Sequence, residues 1–130
     1  MSLWISLYAT YKPIKPILLA VTLLFVACIS YSQNVNIPDA NFKNALMSVG
    51  VDTNEDREIS YAEAEGITYL YVSYDSISDM TGIEAFVNLD TLLCNNNQLS
   101  SLDVSDCPAL EKLNCYSNQL TSLDVSGCSA

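Results

Sequence analysis

Residues 89–130 hold the feature that most constrains this chain, a 21-residue segment that occurs twice in succession. Residues 89–109 read LDTLLCNNNQLSSLDVSDCPA, and residues 110–130 read LEKLNCYSNQLTSLDVSGCSA. The two segments are identical at 13 of 21 positions. A fixed period of this length indicates a solenoid, in which each structural unit is stacked on the one before it. One unit cannot bury its own apolar face, so its stability comes from its neighbours.

The apolar residues of each unit predict one short parallel strand followed by a turn-rich return. Leu92 and Cys94 are two residues apart, so their side chains point to the same side of a strand. Leu113 and Cys115 repeat this spacing in the second unit. Stacked strands lie about 4.8 Å apart, and each apolar position therefore becomes a column through the core.

The pattern L-x-x-L-x-C-x-x-N-x-L resembles the leucine-rich repeat, with cysteine in the third apolar position. The resemblance implies a ladder of buried asparagines at Asn97 and Asn118, whose amides would bond backbone groups of the turn after the strand. Residues 67–88 resemble a first, more degenerate repeat with a period of 22, in which Asp75 takes the asparagine position. The predicted repeats are 67–88, 89–109 and 110–130.

A helix is predicted over residues 37–50, before the repeats. Phe42, Ala45, Leu46 and Val49 form an apolar stripe with helical spacing, and Gly50 suits the position after a helix end.

Residues 52–63 (DTNEDREISYAE) resemble the calcium-binding loop of an EF-hand. The resemblance implies side-chain oxygen ligands at five positions and a backbone carbonyl ligand at a sixth, and calcium as the bound ion. These residues are Asp52, Asn54, Asp56, Glu58 (by its carbonyl), Ser60 and Glu63. Ser60 and Glu63 also match a capping box for a following helix.

Arg57 departs from this motif, because an EF-hand loop has glycine at that position for a turn with positive φ. A residue with a side chain there costs about 1 kcal/mol or more. Two interpretations stay open: a loop that binds calcium, and a metal-free cap held by capping hydrogen bonds.

The order of helix, loop and repeats resembles bacterial surface proteins of the internalin type, in which a small helical, EF-hand-like cap precedes the array. The predicted fold is an α/β repeat: a leucine-rich-repeat solenoid of short parallel strands (67–130) with a small helical EF-hand-like N-terminal cap (33–66). The cap is expected to cover the core and the strand edge at the open end of the first repeat.

Solenoids of this kind bind partners on the concave face formed by their strands. A protein or glycan is the predicted partner, since tyrosine gives large contact area at low entropic cost. The alternative is that the side chains at the exposed strand positions only cover the strand backbone and bind no partner. The predicted contact residues are Tyr69, Tyr71, Ser73, Thr91, Leu93, Asn95, Lys112, Asn114 and Tyr116.

Residues 1–32 resemble a secretory signal, which predicts a secreted or cell-surface protein with no transmembrane span in its mature part. Lys12 and Lys15 precede an apolar run at 17–29, and a cut before Gln33 follows small residues. A lipoprotein anchor at Cys28, an uncleaved anchor and a misplaced start of the sequence are the alternatives, the last because residues 1–11 are unusual for the beginning of a signal. The remaining chain has three bases against fifteen acids, a net charge of −12, which argues against nucleic acid as a partner.

An enzyme is not expected, because a chain without histidine lacks the usual base for nucleophilic catalysis. The predicted function is a non-enzymatic adhesion or recognition module. The alternative is a structural spacer, or an N-terminal fragment of a larger surface protein, because the last repeat would expose Leu113, Leu120 and Leu123 at its open end.

The four cysteines after residue 33 form two columns with a spacing of 21, Cys94 with Cys115 and Cys107 with Cys128. Stacked neighbours come within disulfide range, but parallel side chains in register disfavour the required torsion. Buried free thiols are therefore predicted.

Overall fold

The computed structural model describes residues 33–129. The predicted signal segment, including Cys28, lies outside the described residues. The elements are helices α1 (Ala40–Ser48) and α2 (Tyr61–Glu65), strands β1 (Tyr69–Tyr71), β2 (Thr91–Leu93), β3 (Ser101–Asp103), β4 (Lys112–Asn114) and β5 (Ser122–Asp124), and a 3-10 helix (Ile83–Ala85).

The two helices flank the loop at 52–63. Helix α1 is shorter than expected because Asp39 is its N-cap, with a carboxylate that accepts hydrogen bonds from the N–H groups of Asn41 and Phe42. Gly50 follows the end of this helix with a φ of 80°, as predicted. Helix α2 begins at the predicted capping box, in which Ser60 and Glu63 each accept a hydrogen bond from the backbone of the other.

Strands β1, β2 and β4 form one parallel sheet in that order, with one strand from each predicted repeat. Leu70, Leu92 and Leu113 stand in register across this sheet. The three repeats are therefore three stacked coils, called coils 1, 2 and 3 below.

The return of coils 2 and 3 differs from the prediction. It contains strands β3 and β5, which pair in parallel, so the expectation of one strand per repeat is wrong for these coils. Coil 1 has the 3-10 helix instead, directly after Gly82 at a φ of 107°. A Cβ on Gly82 would lie 2.7 Å from Cγ1 of Ile37, so the segment before α1 packs where a side chain would stand.

The predicted asparagine ladder is present. The amide of Asn97 donates to the carbonyls of Val72 and Cys94, and its Oδ1 accepts from the N–H groups of Asp75 and Ile77. Asp75 itself is exposed and contributes its backbone N–H. Asn118 repeats the arrangement one coil later, where its amide nitrogen donates to the carbonyls of Cys94 and Cys115.

One apolar core runs from the helices into the coils. Phe42 and Leu46 of α1 belong to the same buried cluster as Leu70 and Leu92 of the sheet. Burial decreases at coil 3, where Leu113 and Leu120 are half-buried and Leu123 is 46% exposed. Within 33–129, no helix is long and apolar enough to cross a membrane.

Candidate functional site

The outer surface of the three-stranded sheet is the first candidate site. Leu70, the central residue of β1, is buried, whereas Tyr69 and Tyr71 on either side of it are exposed. In β2, Thr91 and Leu93 are half-buried on the same surface, and in β4 Lys112 is exposed and Asn114 half-buried. The structure therefore brings these six predicted residues together on one face, called the strand face below.

Two of the predicted contact residues are not exposed, and that part of the prediction is wrong. Ser73 and Asn95 are only 4% and 7% exposed. The hydroxyl of Ser73 donates to Oδ1 of Asn95 at 2.8 Å. They follow the strands where the chain turns inward, so strand alternation no longer decides which way a side chain points.

Tyr74 is an exposed aromatic residue that the sequence reasoning missed. It is 67% exposed, and the phenol of Tyr116, which is 58% exposed, lies close enough to raise the pKa of Tyr74. The interaction with Tyr116 is the largest cause of this increase in pKa, and the nearby phenol of Tyr71 makes a smaller contribution. Tyr74 belongs to coil 1 and Tyr116 to coil 3, on either side of coil 2.

The backbone of this region explains the conformation of Tyr74. Tyr74, Asn96 and Ser117 occupy equivalent positions in the three coils, and all have a positive φ, of 68°, 56° and 52°. This repeated left-handed turn ends each strand. A tyrosine at an αL position is uncommon, and the asparagine at the same place in coil 2 was the signal that marks the turn.

Asn96 lies in coil 2, between the coils of these two tyrosines. Its backbone N–H donates to the carbonyl of Tyr116 at 3.0 Å, and the N–H of Tyr74 donates to the carbonyl of Asn95 at 3.2 Å. Nδ2 of Asn96 is buried, and within 33–129 it is the one buried side-chain nitrogen or oxygen with no hydrogen-bond partner. An unpaired buried donor costs about 1–3 kcal/mol.

The predicted contact residues themselves carry little charge. All fifteen carboxylates of the chain lie between residues 39 and 124. None of them is among the nine predicted contact residues, where the single charge is that of Lys112. Three exposed carboxylates, those of Asp75, Asp90 and Glu111, adjoin these residues in the sequence.

The loop at 52–63 is the second candidate site, and its carboxylates bond the loop's own backbone. Asp52 accepts from the N–H groups of Asp56 and Arg57, at 3.3 and 3.0 Å. Asn54 Oδ1 accepts from the N–H of Asp56 at 2.9 Å, and Asp56 Oδ1 accepts from the N–H of Glu58 at 2.8 Å. The side chain of Glu58 pairs with Lys43 of α1 at 2.7 Å.

Glu63 closes this loop with both carboxylate oxygens. Oε1 accepts from the N–H and the hydroxyl of Thr53, both at 2.8 Å. Oε2 accepts from the N–H and the hydroxyl of Ser60, at 2.9 and 2.8 Å. Burial alone raises the pKa of Glu63, but these hydrogen bonds outweigh it and lower the pKa to about 2.

The donor set of this loop suits calcium in part. The side chains offer the hard oxygen ligands that calcium prefers, and Arg57 takes the positive φ, 67°, that the sixth loop position requires. Glu63, however, is committed to Thr53 and Ser60 and would have to exchange those bonds for the ion. Among residues 33–129, no three His, Cys, Asp or Glu residues are grouped so as to hold a metal. Calcium binding stays a prediction.

The cysteines follow the predicted columns, and the four in the described part of the chain are free thiols. Cys94 and Cys107 are buried, and Cys115 and Cys128 are half-buried. The thiols of Cys107 and Cys128 lie 3.5 Å from carbonyl oxygens of the preceding coil, those of Ile83 and Val104. Burial, with a smaller contribution from the neighbouring thiol, raises the pKa of Cys94 to about 12 and that of Cys107 to about 11.

A cavity of about 400 Å³ lies on the return side of coils 1 and 2, away from the strand face. It adjoins the edge of β3 that faces the 3-10 helix, where coil 1 has no matching strand. Its polar lining is acidic, from Asp79, Glu84, Asp103 and Asp106. The sequence reasoning missed this cavity because it depends on the irregular return of coil 1.

Comparison with known proteins supports the repeats. Residues 87–127 match the family model described as leucine-rich repeats (2 copies). The parallel strands of the structure and the match to this family model together support a leucine-rich-repeat fold with short parallel strands. No curated relative matches the chain.

Solved structures with similar folds include those of bacterial proteins. The functional domain of InlJ from Listeria monocytogenes, described as including a cysteine ladder, is 30% identical with a TM-score of 0.56. It aligns with 73% of this chain and 22% of its own. The internalin InlF from the same species is 25% identical with a TM-score of 0.54, over 67% of this chain and 29% of its own.

A third similar structure contains the CBM51-2 and INT domains of ZmpB from Clostridium perfringens, in complex with GlcNAc. It is 27% identical with a TM-score of 0.57, over 65% of this chain and 18% of that one. The chain therefore spans less than a third of the length of each of these neighbours.

Proposed function

We propose that this chain is a non-enzymatic recognition module that binds a protein or glycan through its strand face. The observation that carries the proposal is the presence of four tyrosines, all about half exposed or more, on the strand face (Tyr69 and Tyr71) and in the turns that follow the strands (Tyr74 and Tyr116). Exposed aromatic residues with few charges are typical of the central part of interfaces. The similarity to internalin structures supports a role in recognition.

The proposal includes export to the cell surface or medium. The apolar run at 17–29 after two lysines supports it, since this arrangement is typical of a secretory signal. The similarity to bacterial internalins is in keeping with this location.

The proposal also includes calcium at the loop of 52–63. Asp52, Asn54, Asp56, Ser60 and Glu63 would supply side-chain oxygens, and Glu58 its carbonyl. The ion would add rigidity to the loop between α1 and α2. The positive φ of Arg57 supports this part of the proposal, and the hydrogen bonds of Glu63 with Thr53 and Ser60 oppose it.

The test of the recognition function compares three forms of the chain on arrays of immobilised glycans and extracellular proteins. The forms are the wild type, a triple variant (Tyr69→Ser, Tyr71→Ser and Tyr116→Ser), and a Tyr61→Ser control. Tyr61 is exposed but lies on α2, away from the strand face. Binding that the triple variant loses and the control keeps would support the proposal. Binding that all three forms share, or no binding at all, would favour the structural spacer.

A further inference from the structure

The cavity of about 400 Å³ on the return side of coils 1 and 2, called the return cavity below, has no part in the proposed recognition function. Ser101, Leu102 and Asp103, which are the whole of strand β3, line one side of it. Residues of coil 1 between Asp79 and Glu84 line the other side. The return cavity therefore lies along one edge of a strand.

The backbone of β3 is paired on its other edge only. Strand β3 pairs with β5, and the N–H of Val104 donates to the carbonyl of Asp124 in coil 3. Successive residues of a strand direct their backbone groups to opposite edges, so the N–H and C=O groups of Ser101 and Asp103 point toward coil 1. Among residues 33–129, no backbone hydrogen bond joins these groups to coil 1. Two donors and two acceptors thus stand open along the cavity.

We propose that the return cavity binds an extended basic segment of a partner protein, which adds a strand to the free edge of β3. In strand addition, main-chain hydrogen bonds provide affinity, and the alternate side chains of the peptide provide specificity. The site lies apart from the strand face, so it adds a second binding surface to the proposed function and does not depend on the first.

The charge of the cavity determines the charge of the peptide. Within residues 33–129, the one ion pair joins Lys43 and Glu58, so the carboxylates of the cavity have no cationic partner. Lysine and arginine side chains would complement them, and complementary charge favours both the rate and the specificity of association. The ionisable residues that line the cavity are all acidic and exposed: Asp79, Glu84, Asp103 and Asp106.

The floor of the cavity predicts an alternating peptide sequence. Met80, Ile83 and Leu102 line the cavity and are at most 4% exposed. Side chains of an added strand point alternately to the two faces of the sheet. Those on the side of Leu102 would meet this apolar floor, and those on the side of the exposed Asp103 would meet the carboxylates. The volume lies within the range of about 300–1,000 Å³ that ligand sites have.

The experiment is an NMR titration of the ¹⁵N-labelled full chain with three heptapeptides that have blocked ends. They are the basic TKVKVKT, the acidic TEVEVET, and TKVKVKT with a methyl group on alternate backbone nitrogens. We expect the basic peptide to bind with a Kd of about 1 mM or lower, and the backbone N–H signals of Ser101 and Asp103 to shift. The methylated peptide keeps the charge but loses main-chain hydrogen bonds, so it should bind at least about fivefold more weakly. The acidic peptide should not bind.

Two double variants of equal charge test the carboxylates. Glu84→Gln with Asp103→Asn should weaken the basic peptide at least about fivefold, because two exposed ion pairs are lost. The matched control is Glu111→Gln with Asp124→Asn, which should bind as the wild type does. Asp124 stands in register with Asp103 one coil later, outside the cavity. Each of these two aspartates accepts a hydrogen bond from the N–H two residues further on, and the asparagine oxygen can keep it.

Several results would overturn the inference. Equal binding by the two double variants would show that the carboxylates of the cavity take no part. Equal binding of the methylated and unmethylated peptides would rule out strand addition. Calcium chloride is titrated alone as a further probe, and signals of Asp79 and Asp103 that shift with calcium but not with peptide would make the cavity a cation site.

The tyrosine variants separate this site from the proposed function. The triple variant at Tyr69, Tyr71 and Tyr116 should bind the basic peptide as the wild type does. If it loses this binding, the peptide lies on the strand face, which overturns the cavity site and supports the proposed function. Absence of peptide binding to every form also overturns the cavity site, and the array result then decides the proposed function independently.

Discussion

Asp39 and Ser78 are 39 residues apart in the sequence, yet one carboxylate oxygen of Asp39 accepts both the N–H and the hydroxyl of Ser78, at 3.0 and 2.7 Å. The same oxygen accepts the N–H of Asp79 at 3.1 Å, while the other oxygen caps helix α1. One side chain therefore starts the first helix and fastens it to coil 1.

We expect Asp39→Ala to lower the free energy of unfolding by about 2–4 kcal/mol, because it removes a helix cap and three hydrogen bonds to a charged group. Asp39→Asn should lower the free energy of unfolding less than Asp39→Ala does, since asparagine is also a good N-cap. Some loss should remain, because the amide group of asparagine would face the hydrogen-bond donors of Ser78 and Asp79. Urea unfolding of both variants measures this. Asp106→Ala, at an exposed position, is the control, and an equal loss there would contradict the assignment.

Stability should fall steeply in acid because of Asp39 and Glu63. Burial alone raises their pKa values, but the hydrogen bonds that they accept lower each to about 2, from ordinary values of 3.8 and 4.5. A carboxylate with a lowered folded pKa stabilises the protein above its unfolded pKa, and this contribution is lost as the pH falls from about 4.5 to about 2. The melting temperature should change less across this pH range in a double variant (Asp39→Asn and Glu63→Gln) than in the wild type. If the two plots of melting temperature against pH ran parallel, the prediction would be refuted.

The asparagine ladder should show a positional gradient. Asn97 is buried, and its loss leaves two N–H groups and two carbonyls without their partner. Asn97→Ala should therefore cost about 3 kcal/mol or more. Asn118 lies in the more exposed coil 3, where water can replace the lost bonds, so Asn118→Ala should cost less. Denaturant titration compares the two, and a larger loss for Asn118→Ala would contradict this account.

Calcium, if it binds at 52–63, should raise the melting temperature of the wild type. Saturation at about 100 times Kd corresponds to about 2.7 kcal/mol. Asp52→Ala should abolish the effect. Arg57→Gly should enhance it, because glycine relieves the strain at φ 67° and removes a cation near the ion. Asp106→Ala is the control. If wild type and Arg57→Gly both give no heat of calcium binding, the loop is a metal-free cap held by Glu63.

The four cysteines of the repeats should react as free thiols, and the two buried ones should react more slowly than the two half-buried ones. Cys94 and Cys107 are buried with raised pKa values, so little reactive thiolate forms at neutral pH. Iodoacetamide at pH 8 should label the half-buried Cys115 and Cys128 first, as mass spectrometry of tryptic peptides can show. After denaturation without reductant, all four should be recovered. Fewer than four would mean that disulfides form within the columns.

The sequence by itself determined the repeat, its 21-residue period, the strand register and the asparagine ladder. These follow from local spacing: leucines at fixed phases can be buried in one way only, and each coil imposes that arrangement on the next. The capping box of Ser60 and Glu63 was also evident, because it involves residues three apart.

The tertiary structure alone decided what depends on contacts between different coils. It placed Asp39 against Ser78, inserted Ile37 beside Gly82, and turned Ser73 and Asn95 inward. Each of these involves residues separated by roughly 20 to 45 positions, outside any single repeat or helix. The period of a solenoid predicts which residues stack, but the direction of a side chain beyond the strand is set by the turn conformation and by its neighbours in space.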